Sequence, residues 1–134
     1  MGESRSDGSP GLIKHRYIVR NKTRGVSLAR RLRLAGRSSE RRKGLLGVSE
    51  MNADEGLWIA PCEAVHTFGM KMPIDVIFLD RDYVVKRIRH ALAPNRVSVC
   101  LSSSSVIELA AGRIAWSGTQ LDDQLEFIDS CKLT

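Results

Sequence analysis

The chain has 134 residues, 43% of them hydrophobic and 27% charged, with a formal net charge of +6. That length buries a core without staples, and three widely spaced cysteines, Cys62, Cys100 and Cys131, make neither an even disulfide framework nor a C-x-x-C pair. The disulfide-rich secreted classes are therefore excluded, a reducing, cytoplasmic compartment is expected, and no apolar run approaches a membrane span, so no membrane partner is expected.

Residues 1–11, MGESRSDGSPG, are polar and read as a disordered leader ahead of one β-rich domain over 12–130. Charge is uneven: residues 14–43 hold twelve Lys or Arg against one acid, Glu40, an excess of +11, while the remainder sums to −5. Such a segment can be a footprint for nucleic acid. Its bases, however, are mostly arginines along a strand with no interleaved aromatics to stack on bases, so a solvated basic face is the plainer reading.

Leu12–Arg20 alternates as a strand, and NKTRG at 21–25 has turn composition. Val26, Leu28, Leu32 and Leu34 then share one face of a second strand, with Arg31 and Arg33 opposite, and the two strands make a hairpin. Ser38 or Ser39 can cap a short helix ended by Gly47, with Leu45 and Leu46 buried. Leu57–Ala60 reads as a strand closed by Pro61.

HTFGMKMPIDVIFLD, residues 66–80, has the densest signals. Pro73 forces the chain into Ile74 already extended, and Ile74–Leu79 is apolar on both faces apart from Asp75. Alternation sets Ile74, Val76 and Phe78 on one side and Asp75, Ile77 and Leu79 on the other. A carboxylate on an apolar face requires donors, and the nearest in sequence are the Gly69–Lys71 amides, His66 and Lys71. Asp75 then staples its strand to the preceding loop, or orients His66 for chemistry.

Asp80-Arg81-Asp82 reads as a turn into a returning strand at Tyr83–Ile88. Residues 91–105 read as a long loop with a short strand somewhere in Val97–Leu101. Val106–Leu109 is a strand carrying Glu108, Ala110–Ser117 a short helix closed by Gly118, and Leu125–Ile128 a last strand.

Five blocks in this order resemble the domain-of-unknown-function family 192: Arg42-Lys43-Gly44-Leu45-Leu46-Gly47, Gly56-Leu57-Trp58-Ile59, His66-Thr67-Phe68-Gly69-Met70, Pro73 through Asp80, and Val106 through Gly112. The resemblance runs from about Val26 to Phe127. It implies a mainly β fold, a compact antiparallel barrel or sandwich with one or two short helices, and no established activity. The chain departs from the family pattern with Gly69 beside Met70, and with Tyr83 and Asp122 where glycine is common.

Cys62, His66 and Met70 recur every four residues and would share one side of an extended chain, a soft set suited to a Cu(I)-type ion. Cys62 with His66, oriented by Asp75 or Glu63, has the residue types of a nucleophile pair. Asp75 with Glu108 could be paired hydrolytic carboxylates if about 5–9 Å apart. Each has a plainer alternative: a packed Cys, a hydrogen-bonded His, a core Met, and a Glu108 that accepts from a backbone amide or from Arg42. Phosphate loops, zinc spacings and Ser-His-Asp signatures are absent, so no cofactor is expected. The preferred reading is a non-catalytic module binding an unknown ligand or protein partner in a polar cleft of His66, Met70, Asp75 and Glu108. The alternative is a hydrolytic or metal-dependent enzyme using Cys62, His66, Asp75 and Glu108.

Overall fold

The computed structural model describes residues 15–45 and 47–132, the side chains of His15, Arg42 and Lys43 aside. The expected leader and the buried role of Leu46 fall outside them. In chain order the elements are β1 (His15–Asn21), β2 (Val26–Ala35), α1 (Ser38–Lys43), β3 (Glu55–Ile59), β4 (Ala64–His66) and β5 (Ile74–Leu79). There follow β6 (Val85–Leu92), β7 (Val97–Val99), β8 (Ser105–Ala110), α2 (Arg113–Ser117), β9 (Leu125–Asp129) and a 3-10 turn at Ser130–Lys132.

Seven strands form one curled sheet in the order β6-β5-β8-β3-β2-β1-β9, and β4 pairs with β7 in a separate ribbon. Neighbours in the sheet are antiparallel except β2 and β3. A parallel pair requires a crossover, and the 36–54 connection supplies it, carrying α1 across one face. The two ends of the sheet meet at a Val84–Gln124 bridge, where Val85 N–H donates to Asp123 O (2.9 Å) and Leu125 N–H to Tyr83 O (2.9 Å). The fold is thus a half-barrel, mainly β with two short helices, as expected.

Alternation along the central strands feeds two cores. Inside the curl lie Val19, Leu28, Leu32, Ile77, Leu79, Ile107, Leu109 and Ile114. There Trp58 stacks on Phe127 with centroids 3.7 Å apart and receives the edges of Tyr17 and Tyr83 at 5.4 and 5.8 Å. On the outer face Leu57, Ile59, Ile74, Val76, Phe78 and Val106 pack beneath Leu45 of the crossover and Val65 of the ribbon. Because both faces of β5 are covered, all six of its residues are buried.

Several boundaries differ from expectation for identifiable reasons. In β2 the buried set is Leu28, Ala29, Leu32 and Ala35, since register shifts against β1 break the period of two that would have buried Val26. α1 begins after Arg37, whose N–H donates to Glu40 Oε1 (2.9 Å), and stops at Gly44 (φ 49°) rather than Gly47. The 91–105 stretch is shorter as a loop than expected, because β6 runs to Leu92 and β7 pairs with β4.

Tyr83 (φ 64°) and Asp122 (φ 71°), the two positions where glycine is common in the resembled family, both have left-handed backbone. Tyr83 offsets its strain by packing against Trp58 and Phe127; Asp122 is exposed. Asp122→Gly should therefore stabilise the protein by roughly 0.5–1 kcal/mol, the relief of a Cβ in that conformation less the extra freedom of unfolded glycine. Urea denaturation measures it, and a drop in midpoint would mean that the aspartate side chain stabilises the corner.

Candidate functional site

Asp75 is fully buried, and its face is the one that alternation assigned, toward the interior of the curl with Ile77 and Leu79. Its donors are not the ones expected. Oδ1 accepts from Ala91 N–H (2.8 Å), and Oδ2 from Gly112 N–H (3.1 Å) and Ile114 N–H (2.8 Å). The carboxylate thus ties β5 to a left-handed residue of β6 (Ala91, φ 44°) and to the first turn of α2. The Gly69–Lys71 turn is not among these donors. It is stitched instead by buried Thr67, whose Oγ1 donates to Ala93 O (2.7 Å) and accepts from Arg96 N–H (2.8 Å).

Glu108 occupies the other face. In the β5–β8 register Asp75 lies opposite Leu109 while Val76 lies opposite Glu108, so the two acids project to opposite sides of the sheet. This removes the paired-carboxylate arrangement and takes Asp75 out of the expected cleft. Glu108 is 4% exposed, and among the described residues its Oε1 has no hydrogen-bond partner. Burial pushes its carboxyl up to about 7. The expected acceptor role is therefore missing at Oε1, and the suggested donor, Arg42, lies outside the described side chains.

Around Glu108 the chain builds a small well. It is lined by Arg41 and Gly44 from the end of α1, Leu45, Ile59 from β3, and Cys62, Ala64, Val65, His66 and Met70. Its volume is about 50 Å³, room for a few waters. A Cβ on Gly44 would stand 3.7 Å from Glu108 Oε1, at ordinary van der Waals contact, so the helix end lies directly beside the carboxyl. Outward, the well opens into a depression of about 440 Å³ walled by Ser38, Arg41, Pro61, Cys62, Glu63, Ala64 and His66, a volume within the usual range of ligand clefts.

Cys62, His66 and Met70 do converge here, though not through a continuous strand. β4 supplies only residues 64–66, and the turns on either side bring in Cys62 and Met70. Met70 is buried, Cys62 half-buried, and His66 exposed at the rim against Phe68, ring centroids 5.4 Å apart. Burial raises the Cys62 thiol, and Cys62 Sγ donates to Ala64 O (3.1 Å). A thiol held protonated in this way is a poor nucleophile. Among the described residues, no group of three or more His, Cys, Asp or Glu side chains is placed to hold a metal ion.

Phe68 is 51% exposed and Trp58 belongs to the opposite core, so neither fills the site. Arg41 and Gly44 were missed as lining residues, although the block from Arg42 to Gly47 pointed to this segment. The basic segment is partly neutralised by distant acids, in Arg16–Asp129 (2.8 Å), Arg20–Glu126 (3.6 Å), Arg24–Asp123 (2.9 Å) and Arg31–Glu55 (3.5 Å). Among the described residues, no helix is long and apolar enough to cross a membrane.

A curled β half-barrel with a carboxyl-floored cleft between a crossover helix and a two-stranded ribbon is the class that fold and site define. The chain belongs to the DUF192 family, "Uncharacterized ACR", which it matches over residues 19–127. Among solved structures it is similar to a protein of unknown function from Novosphingobium aromaticivorans DSM 12444, with TM-score 0.76, 25% identity and coverage of 91% of each chain. It is also similar to a Sinorhizobium meliloti 1021 protein named a "putative transcription regulator", with TM-score 0.74 and 22% identity over 87% of this chain and 98% of that one. Nothing among curated proteins matches it.

Proposed function

We propose that this is a non-catalytic binding module whose ligand enters the cleft between α1 and the β4–β7 ribbon, with Glu108, His66 and Met70 in contact with it. The observation that carries this reading is the buried, unpartnered Glu108 oxygen beside a well that is open to solvent. Natural cores pair such groups, and an exception beside an open cleft is a place where water or a ligand supplies the donor. Asp75 is a structural staple in this reading. The enzyme alternative loses support from the raised Cys62 thiol and from the separation of Asp75 and Glu108 across the sheet.

A thermal-shift panel of small organic cations, anions and neutral polar compounds tests the reading on the wild type and on Ala64→Trp. Ala64 is exposed and lines both the well and its mouth, so an indole there blocks entry without entering the core. At least one class should raise the wild-type midpoint and leave the variant unmoved. Equal stabilisation of both proteins, or of neither by any class, would remove the cleft as a binding site.

A further inference from the structure

We infer that the cleft takes a primary alkylammonium, its head against Glu108 in the well and its chain running out past Ala64 and Pro61. This rests on the binding reading above and adds the chemical class of the ligand. Glu108 Oε1 offers an acceptor that has no donor among the described residues, beside apolar Leu45, Ile59, Val65 and Met70. The occupant must therefore donate, and a cation satisfies the carboxylate more fully than a neutral hydroxyl does.

Charge and size narrow the class. From α1, Arg41 faces the well, but its guanidinium is held back by Gly36 O and by Ser38 Oγ (3.3 Å). From the 61–66 segment come protonated Cys62, exposed His66 and, at the mouth, Glu63; from β3 and β5 the neighbours opposite Glu108 are Leu57 and Val76, which carry no charge. Among the described side chains, Glu63 together with Glu108, once the latter ionises, thus outweighs Arg41. A well of about 50 Å³ suits a compact ammonium with its first methylene, whereas a guanidinium carries five donors in a rigid plane that asks for several acceptors at once. An alkylammonium, with an ordinary pKa near that of lysine, about 10.4, arrives charged at neutral pH.

The probe is n-butylammonium chloride, titrated into the full chain at pH 7 and followed by NMR. Amide shifts are expected at Ala64, Val65 and Glu108. The Glu108 carboxyl, followed by its ¹³C signal, should titrate near 7 without ligand and move down toward the ordinary carboxylate range when the probe is bound. Glu108→Gln, checked for an unchanged fold by its amide spectrum, should bind about thirtyfold more weakly or worse. Tetramethylammonium, which has no N–H, and butyrate should not bind.

Binding by tetramethylammonium, undiminished binding in Glu108→Gln, an unmoved carboxyl titration or no saturation up to about 50 mM would each overturn the inference. If n-butanol, butyrate or n-butylguanidinium binds in preference and Ala64→Trp abolishes that binding, the ligand class is wrong while the cleft survives as a binding site. If Ala64→Trp leaves n-butylammonium binding intact, both readings fail together.

Discussion

Asp75→Ala should lose roughly 4–6 kcal/mol of stability, a large share of the 5–15 kcal/mol typical of a domain. The substitution leaves three main-chain donors, at Ala91, Gly112 and Ile114, without the carboxylate that they share at 2.8, 3.1 and 2.8 Å. Ile114 is fully buried, so water cannot easily replace the lost oxygen there. Each abandoned donor costs about 1–3 kcal/mol, and the methyl group left behind also underfills the interior of the curl.

Asp75→Asn keeps one acceptor and turns an amide NH₂ toward donors, so roughly half the loss is expected. Urea denaturation gives the totals, and amide hydrogen exchange at residues 91, 112 and 114 should quicken selectively in the asparagine variant. Because Asp75 and Glu108 project from opposite faces of the sheet, n-butylammonium affinity should be unchanged in that variant. A loss under about 1 kcal/mol in the alanine variant would show that the carboxylate staples nothing.

Asp75 also illustrates how far the sequence reaches. Alternation along Ile74–Leu79 was enough to assign its face and to demand donors for it, because the period of a strand is local information. The donors themselves lie 16, 37 and 39 residues further along, on a hairpin strand and a helix start that are each legible in the sequence but whose placement against Asp75 no spacing reveals. The loop just before β5, the nearest in sequence, is secured by Thr67 instead. Likewise β2 reads as a strand, but consecutive burial of Leu28 and Ala29 follows from bulges against β1 that its own sequence does not announce. The block around Gly56 was legible as a family signature before its reason was. A Cβ there would sit 2.8 Å from Leu109 Cδ2 and 3.1 Å from Glu108 O, so a larger residue would push the Leu109 side chain aside and crowd the backbone of β8. In the site, Cys62, His66 and Met70 all line the well, brought there by turns and not by the continuous strand that their spacing suggests. Of the expectations for Glu108, the plainer one, a satisfied acceptor, fails at Oε1 among the described residues, and a missing partner is visible only in three dimensions.

That missing partner gives Glu108→Gln its expected effect: above pH 7 the variant should be more stable than the wild type by up to roughly 3 kcal/mol. The folded carboxyl titrates at about 7 against an ordinary 4.5, so between these values the native state holds a proton that the unfolded chain has released. Wild-type stability therefore falls as pH rises from about 4.5 to 7, and the full loss persists at higher pH. Glutamine carries no such proton.

Other shifted carboxylates act elsewhere on the pH scale. Asp123 is opposed by its burial but drawn below the usual range by hydrogen bonds from Arg24 and Asn21, and Asp129 is held low by Arg16. What these two contribute is present above the ordinary carboxylate value of 3.8 and is lost as pH falls below it. The difference between wild-type and variant stabilities at pH 5, 6, 7 and 8 consequently isolates Glu108, and a flat difference would mean that it is ionised normally within the fold. Saturating n-butylammonium should flatten the wild-type curve as well, because an ammonium in the well supplies the donors and charge that the buried carboxylate lacks. The same group would then destabilise the empty protein at neutral pH and hold the ligand in the occupied one.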